Sequence, residues 1–268
     1  MECPVKEKCA YTLIFAPVGI SSAKRLQNVP RGYVLKPPLE EETEYSSGKP
    51  LSFNIVLVGD RVNYLAYVIV ALKELGRSGI GLNRGKFTLG EISVIKNGTA
   101  EAIYDPSLNT VKNVDKRTTG IELLEQTKKI NQRKITIQFL TPARIKYNPT
   151  GEKGKSAVVR VPEFHHIIRR LRDRINALSM AYCSSPVDID FKGIAERATA
   201  VKTRDVNLKW LDLKRKSKTQ QIQHDQSGFI GRITYEGDLD EFLPLIVLGE
   251  HVHVGEDAVF GNGWYRVQ

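Results

Sequence analysis

The sequence predicts an α+β protein made of two tandem ferredoxin-like (RRM-like, βαββαβ) domains. Three observations lead there. Strand and helix signals run in the same order in both halves of the chain. Each half places a Gly-rich turn, "GIGLNRGKF" and "FGNGW", between its second helix and its last strand. A length of 268 residues allows one large domain or two small ones, with a sizeable core in either case. Such a faint internal repeat in one slot of a shared element order describes a pair of packed helix-on-sheet units.

In the first half, "YTLIFAPV" (11–18) reads as a strand and "SSAKRLQ" (21–27) as a short helix opened by a Ser cap. "RGYVLKPPL" (31–39) is a strand stopped by two prolines, and "LSFNIVLVG" (51–59) a buried strand, with an exposed hairpin loop at 40–50 between them. "NYLAYVIVALKEL" (63–75) is long enough for a helix, and Gly76 stands where a C-cap belongs. "KFTLGEISVIKNG" alternates like a strand and closes a domain at 1–96. Residues 97–133 are polar and weakly periodic, which predicts a connecting segment with at most a small hairpin.

The second domain, 134–268, repeats the order. "KITIQFLTPARI" is a strand, and "PEFHHIIRRLRDRINALSMAYC" (162–183) a helix with Pro162 at its start. "TAVKTRDVNLKWLDLKRKS" and "GFIGRITYEG" follow as strands. "DLDEFLPLIVLGEHVHVG" is a helix running into a glycine-rich segment, and "GWYRV" is the closing strand.

Charge narrows the function. The net charge is +10, which makes a polyanion the leading partner class. It is concentrated: residues 128–174 set thirteen Lys/Arg against Glu152, Glu163 and Asp173, and a second basic block runs over 202–218, including Lys214 and Arg215. Basic runs are also common as plain solvated faces. Three cysteines, Cys3, Cys9 and Cys183, neither make a disulfide framework nor take the spacing of a metal knuckle. No apolar stretch approaches the roughly 18 residues of a membrane span, so no membrane partner and a soluble, cytoplasmic protein are expected.

The motifs exclude several chemistries. "GIGLNRG" has the wrong glycine spacing for a dinucleotide fingerprint and precedes a strand rather than a helix; no P-loop occurs. His251, His253 and His224 have no carboxylate at ligand spacing, and Asp188, Asp190 and Glu196 do not resemble a two-metal nuclease site, so neither a metal nor another cofactor is expected.

On a helical wheel, Phe164, Ile167, Ile168, Leu171, Ile175 and Leu178 form one apolar stripe; off it, His165 shares its side with Arg169, Arg172 and Asn176, and His166 lies near Arg169, Arg170 and Asp173. Nearby arginines favour the neutral imidazole, which is what a general base needs, and guanidinium groups suit a phosphate whose charge builds up. The same pattern equally describes a basic solvent-facing helix with two incidental histidines. Phe139, Tyr147, Phe164, Tyr182 and Trp210 interleave with the basic blocks, as base-stacking aromatics or as core.

"LPLIVLGEHVHVGEDAVFGNGWYRV" resembles the C-terminal glycine-rich signature of the CRISPR-associated precursor-crRNA-processing endoribonucleases of the RAMP superfamily. "PRGYVLKPP", "GKPLSFNIVLVG" and "ALKELGRSGIGLNRGKF" resemble the N-terminal half of one branch of it. The resemblance implies metal-independent cleavage of CRISPR repeat RNA by 2′-OH attack, leaving a 2′,3′-cyclic phosphate and a 5′-OH. It implies that Gly255, Phe260, Gly261 and Gly263 form the RNA-contacting glycine-rich loop. Glu256 and Asp257 depart from the relatives' pattern there. Many relatives carry a catalytic histidine on the first N-terminal helix; this chain has none before His165, which leaves Ser21, Lys24, Arg25 and Tyr33 as possible contributors.

With that resemblance, His165 or His166 is the expected base, with Arg169 polarising the phosphate. Arg144, Lys146, Arg170, Arg172, Arg174, Lys214 and Arg215 are expected to hold RNA. The alternative is a non-catalytic RAMP-type subunit that binds crRNA in a CRISPR effector complex. Expected partners are precursor crRNA, other effector subunits and a second copy of the chain.

Overall fold

A computed structural model describes residues 9–17, 29–40, 42–112, 117–183, 185–216 and 223–268; the side chains at 215, 216, 223 and 224 lie outside that description. The elements in chain order are α1 (Ala10–Phe15), β1 (Tyr33–Lys36), β2 (Asn54–Leu57), α2 (Leu65–Ser78), β3 (Ile92–Lys96), β4 (Thr99–Asp105), β5 (Thr110–Val111) and α3 (Gly120–Thr127). There follow β6 (Lys134–Ala143), β7 (Ile145–Tyr147), β8 (Ala157–Val159), α4 (Phe164–Tyr182), α5 (Phe191–Arg197), β9 (Lys202–Leu211), β10 (Lys214–Lys216), β11 (Gln223–Asp225), β12 (Gly228–Glu236), α6 (Leu243–Val252) and β13 (Tyr265–Val267).

The C-terminal half has the architecture its alternating segments predict. Its sheet runs β13-β6-β12-β9, every pair antiparallel. Numbered within the half, that is the order 4-1-3-2 of a ferredoxin-like βαββαβ unit. Along β6 the burial alternates strictly, with Ile135, Ile137, Phe139 and Ala143 inside. The whole apolar stripe of α4 is buried, from Phe164 to Leu178, and α6 contributes Leu243, Leu245 and Ile246 to the same core. Pro244 sits in the first turn of α6, where its missing N–H has no intrahelical partner to lose.

The N-terminal half departs in detail. The stretch expected as a first strand is the helix α1, because a short apolar run satisfies either period. Tyr11 and Phe15, four residues apart, meet ring to ring at 5.8 Å, and Ile14 drops into a small core with Tyr33 and Val68. The predicted helix at 21–27 lies outside the described residues. β1 and β2 pair with each other, around the loop expected at 40–50. α2 runs past Gly76 and ends at Gly79, whose φ of 79° supplies the turn. Gly76 is instead a packing position, against Phe87. Residues 97–133 hold more structure than a connection: β4 and β5 extend the β3 hairpin, and α3 carries a capping box between Thr119 and Glu122.

The halves meet along one seam. The Tyr182 hydroxyl donates to the Pro30 carbonyl, the Arg61 guanidinium lies 5.0 Å from the Tyr182 ring, and α3 packs on α6. Lys36 on β1 donates to the Glu250 carbonyl oxygen at 3.0 Å. Among the described residues, no helix is long and apolar enough to cross a membrane.

Candidate functional site

The α4 histidines are not where a helical wheel puts them. Both are buried, His165 at 7% and His166 at 8% exposure. A wheel treats the helix as isolated, whereas here the β7–β8 hairpin lies over its polar side. Arg170 reaches up to the Lys146 carbonyl oxygen through Nε at 2.9 Å, and Tyr147 packs on both imidazoles at 5.2 and 4.4 Å between ring centres. The Glu163 amide donates to His166 Nδ1 at 3.0 Å, and His165 Nε2 lies 3.3 Å from the Glu163 carboxylate. His165 Nδ1 and His166 Nε2 are buried without a partner, as is Arg169 Nε. Burial lowers both imidazole pKa values, that of His166 to about 4, and the nearby arginines add to this less. The neutral form expected from the sequence is therefore favoured, chiefly by desolvation.

The arginines of α4 spend their donors on the fold. Arg172 bonds Asp173 and the Phe191 carbonyl. Arg174, expected on an RNA-binding face, is half-buried instead, donates from Nε to the Val252 carbonyl at 2.6 Å and is pushed down to about 10 by desolvation. Three of the four thus tie α4 to β7, α5 and the end of α6. Lys214 is exposed on the β10–β11 hairpin; the Arg215 side chain, like those of Ser21, Lys24 and Arg25, lies outside the described residues.

The glycine-rich loop between α6 and β13 is welded to the bend between β6 and β7. The Glu256 amide donates to the Arg144 carbonyl at 2.9 Å, the Gly263 amide to the Pro142 carbonyl at 2.8 Å, and the Thr141 hydroxyl to the Gly261 carbonyl at 2.7 Å. Gly261 packs against Pro37 and the Leu35 carbonyl, and the Arg31 guanidinium lies 5.4 Å from the half-exposed Phe260 ring. The loop therefore touches both halves. His253, fully buried with φ at 63°, stacks on Trp264, and its Nδ1 faces the Asn262 carbonyl at 3.2 Å. A non-glycine residue so placed is held there by its surroundings.

Acidic side chains cover the expected phosphate-binding cations. Arg144 Nε is 3.2 Å from Glu256 and its NH1 3.0 Å from Asp225; Lys146 Nζ is 2.7 Å from Glu256. The structure also brings together residues that no motif linked: Lys36, His251, Trp264 and Arg266 share a cleft of about 430 Å³. The signal that could have found them is weak, a lysine before "PP" and two basic residues flanking the terminal glycines.

Residues 137–265 match the family model of the CRISPR-associated endoribonuclease Cas6, and residues 1–116 match a model described as an N-terminal domain. The match to the Cas6 family thus lies in the C-terminal half of the chain. A relative 26% identical over 269 residues, 99% of this chain and 82% of its own, is an uncharacterised protein of Archaeoglobus fulgidus. Among solved structures, a Cas6 product complex aligns with a TM-score of 0.60 at 20% identity, over 100% of this chain and 95% of that one. Thermus thermophilus Cas6 aligns at 0.51 and 16%, over 98% and 90%. A partial Cas6-RT-Cas1–Cas2 complex aligns at 0.56 and 12%, over 100% of this chain and 43% of that one. These likenesses show that the Cas6 fold of tandem ferredoxin-like domains extends across the whole chain.

Proposed function

We propose that this protein cleaves precursor crRNA within the repeat without a metal. The ribose 2′-OH attacks the adjacent phosphate, leaving 2′,3′-cyclic phosphate and 5′-OH ends. The observation that carries the reading is the glycine-rich loop, held at backbone level against the Arg144 bend of a domain that matches the family model. Backbone amides and nearby cations are what an RNA backbone requires. Arg144, Lys146 and Lys214 line its path in this reading. Phosphate contacts then dominate affinity, which falls steeply as salt rises.

The test is incubation with repeat RNA in EDTA. Cutting at one position, with a product end that resists phosphatase until the cyclic phosphate is opened, is the expected result. Cutting that demands Mg²⁺ ends the metal-free reading. Binding without cutting supports the non-catalytic subunit instead, and equal affinity for scrambled RNA rules out repeat recognition.

Glu256 gives a second expected outcome. It pairs with both Arg144 and Lys146, so RNA has to displace it. Glu256→Gln should tighten repeat-RNA binding by roughly three- to tenfold near 0.15 M salt, since a surface pair such as Lys146–Glu256 is worth up to about 1 kcal/mol. A filter-binding titration that shows unchanged or weaker binding would contradict this.

A further inference from the structure

The general base can be chosen by access. Of the histidines whose side chains are described, His165, His166 and His253 are buried, at 7, 8 and 0% exposure. His251, in the last turn of α6, is half-buried, and it lines the cleft where the two halves meet. On one side stand Lys36 of β1 and the Asn97 and Thr118 stretches; on the other, Glu250 and His251 of α6 with Trp264 and Arg266. A volume of about 430 Å³ suits a nucleotide-sized ligand rather than a duplex.

The cations in the cleft are positioned. Lys36 Nζ is held by the Glu250 carbonyl at 3.0 Å and lies 5.1 Å from the Trp264 ring, over which the Arg266 guanidinium also reaches at 5.9 Å. The Glu250 carboxylate accepts from the Val267 amide at 2.8 Å, so the carboxyl is engaged by the backbone. What remains is an accessible imidazole beside an ammonium and a guanidinium.

We propose that this cleft is where the RNA chain is cut, with His251 as the base and Lys36 and Arg266 holding the scissile phosphate. The proposal rests on the endoribonuclease reading. His251 takes the proton of the ribose 2′-OH as the O2′–P bond forms. The P–O5′ bond breaks, and the departing 5′ oxygen takes a proton from Lys36, which is restored from His251 through solvent. Atoms and charge balance without a co-reactant. Burial lowers the pKa of His251, keeping it neutral at pH 7, and lowers that of Lys36, making it the better acid. Asn97 and Thr118, on the opposite wall, are placed to meet the edge of an unpaired base.

The experiment is single-turnover cleavage of repeat RNA in EDTA by the intact chain and by His251→Ala, Lys36→Ala, Arg266→Ala and the His165→Ala/His166→Ala pair. Affinity and melting temperature are read for each. His251→Ala should cut at least about 100-fold more slowly while binding RNA within threefold, and added imidazole should restore part of the rate. Arg266 is exposed, so its loss reports on the phosphate without unfolding the cleft. Near-normal cutting by His251→Ala overturns the proposal, as does a loss that imidazole fails to rescue. Cutting abolished only in the α4 pair moves the chemistry there. If the intact chain binds repeat RNA but never cuts, the endoribonuclease reading and the base both fall. The cleft then stands as a phosphate site only if Lys36→Ala or Arg266→Ala weakens binding about tenfold.

Discussion

Gly263→Ala is expected to lower the stability of the protein by about 2–4 kcal/mol and to abolish RNA binding at the loop. Gly263 has φ at 68°, and a Cβ there would lie inside the Val254 carbonyl oxygen. Neither backbone can step aside. The Gly263 amide is bonded to the Pro142 carbonyl, and the Gly263 carbonyl accepts from the Val254 amide at 3.1 Å. Relief would have to open the weld that holds the loop to β6. Gly151 is the control. Its φ of 74° has the same sign, but open space surrounds the absent Cβ, so Ala there costs only the left-handed penalty of about 1 kcal/mol. Thermal melting of the two variants decides the matter; equal losses would show that the contact with Val254 is not what requires a glycine.

Acid should destabilise the protein well above the range in which carboxylates titrate. Burial depresses the pKa of His166 to about 4 and of His253 to about 3, while an unfolded histidine titrates near 6.5. As pH falls below about 6.5, the unfolded chain takes up protons that the folded chain refuses. The stability these groups contribute is full above that pH and is lost toward pH 3–4. His165 and His251 are depressed in the same direction; Glu250, raised by burial, works the opposite way. Melting temperature followed from pH 8 to 4 should fall steeply below 6.5, and less steeply for His166→Gln/His253→Gln. Parallel curves for the two proteins would refute this origin of the acid lability.

Legibility followed segment length and burial. β6, α4 and β12 are long enough for their periods to be unambiguous, and most of their buried positions are apolar. α1 has six residues, too few to separate a helix from a strand. The histidines of α4 are legible as a pair off the apolar stripe but not as buried, because what covers them is Tyr147, from a hairpin a wheel does not contain. The arginines were legible as charge but not as donors already committed to the Lys146, Phe191 and Val252 carbonyls.

By itself the sequence determined the α+β class, the ferredoxin-like order of the C-terminal half, the basic balance and the glycine-rich terminal signature. These depend on local periodicity, on composition and on residue types at short spacing. Only the tertiary structure decided which cations are free and which histidine is open to a substrate. Lys36 and His251 stand 215 positions apart in the chain yet line one cleft. Accessibility belongs to the packed whole: each neighbouring element removes water from some groups and leaves others exposed.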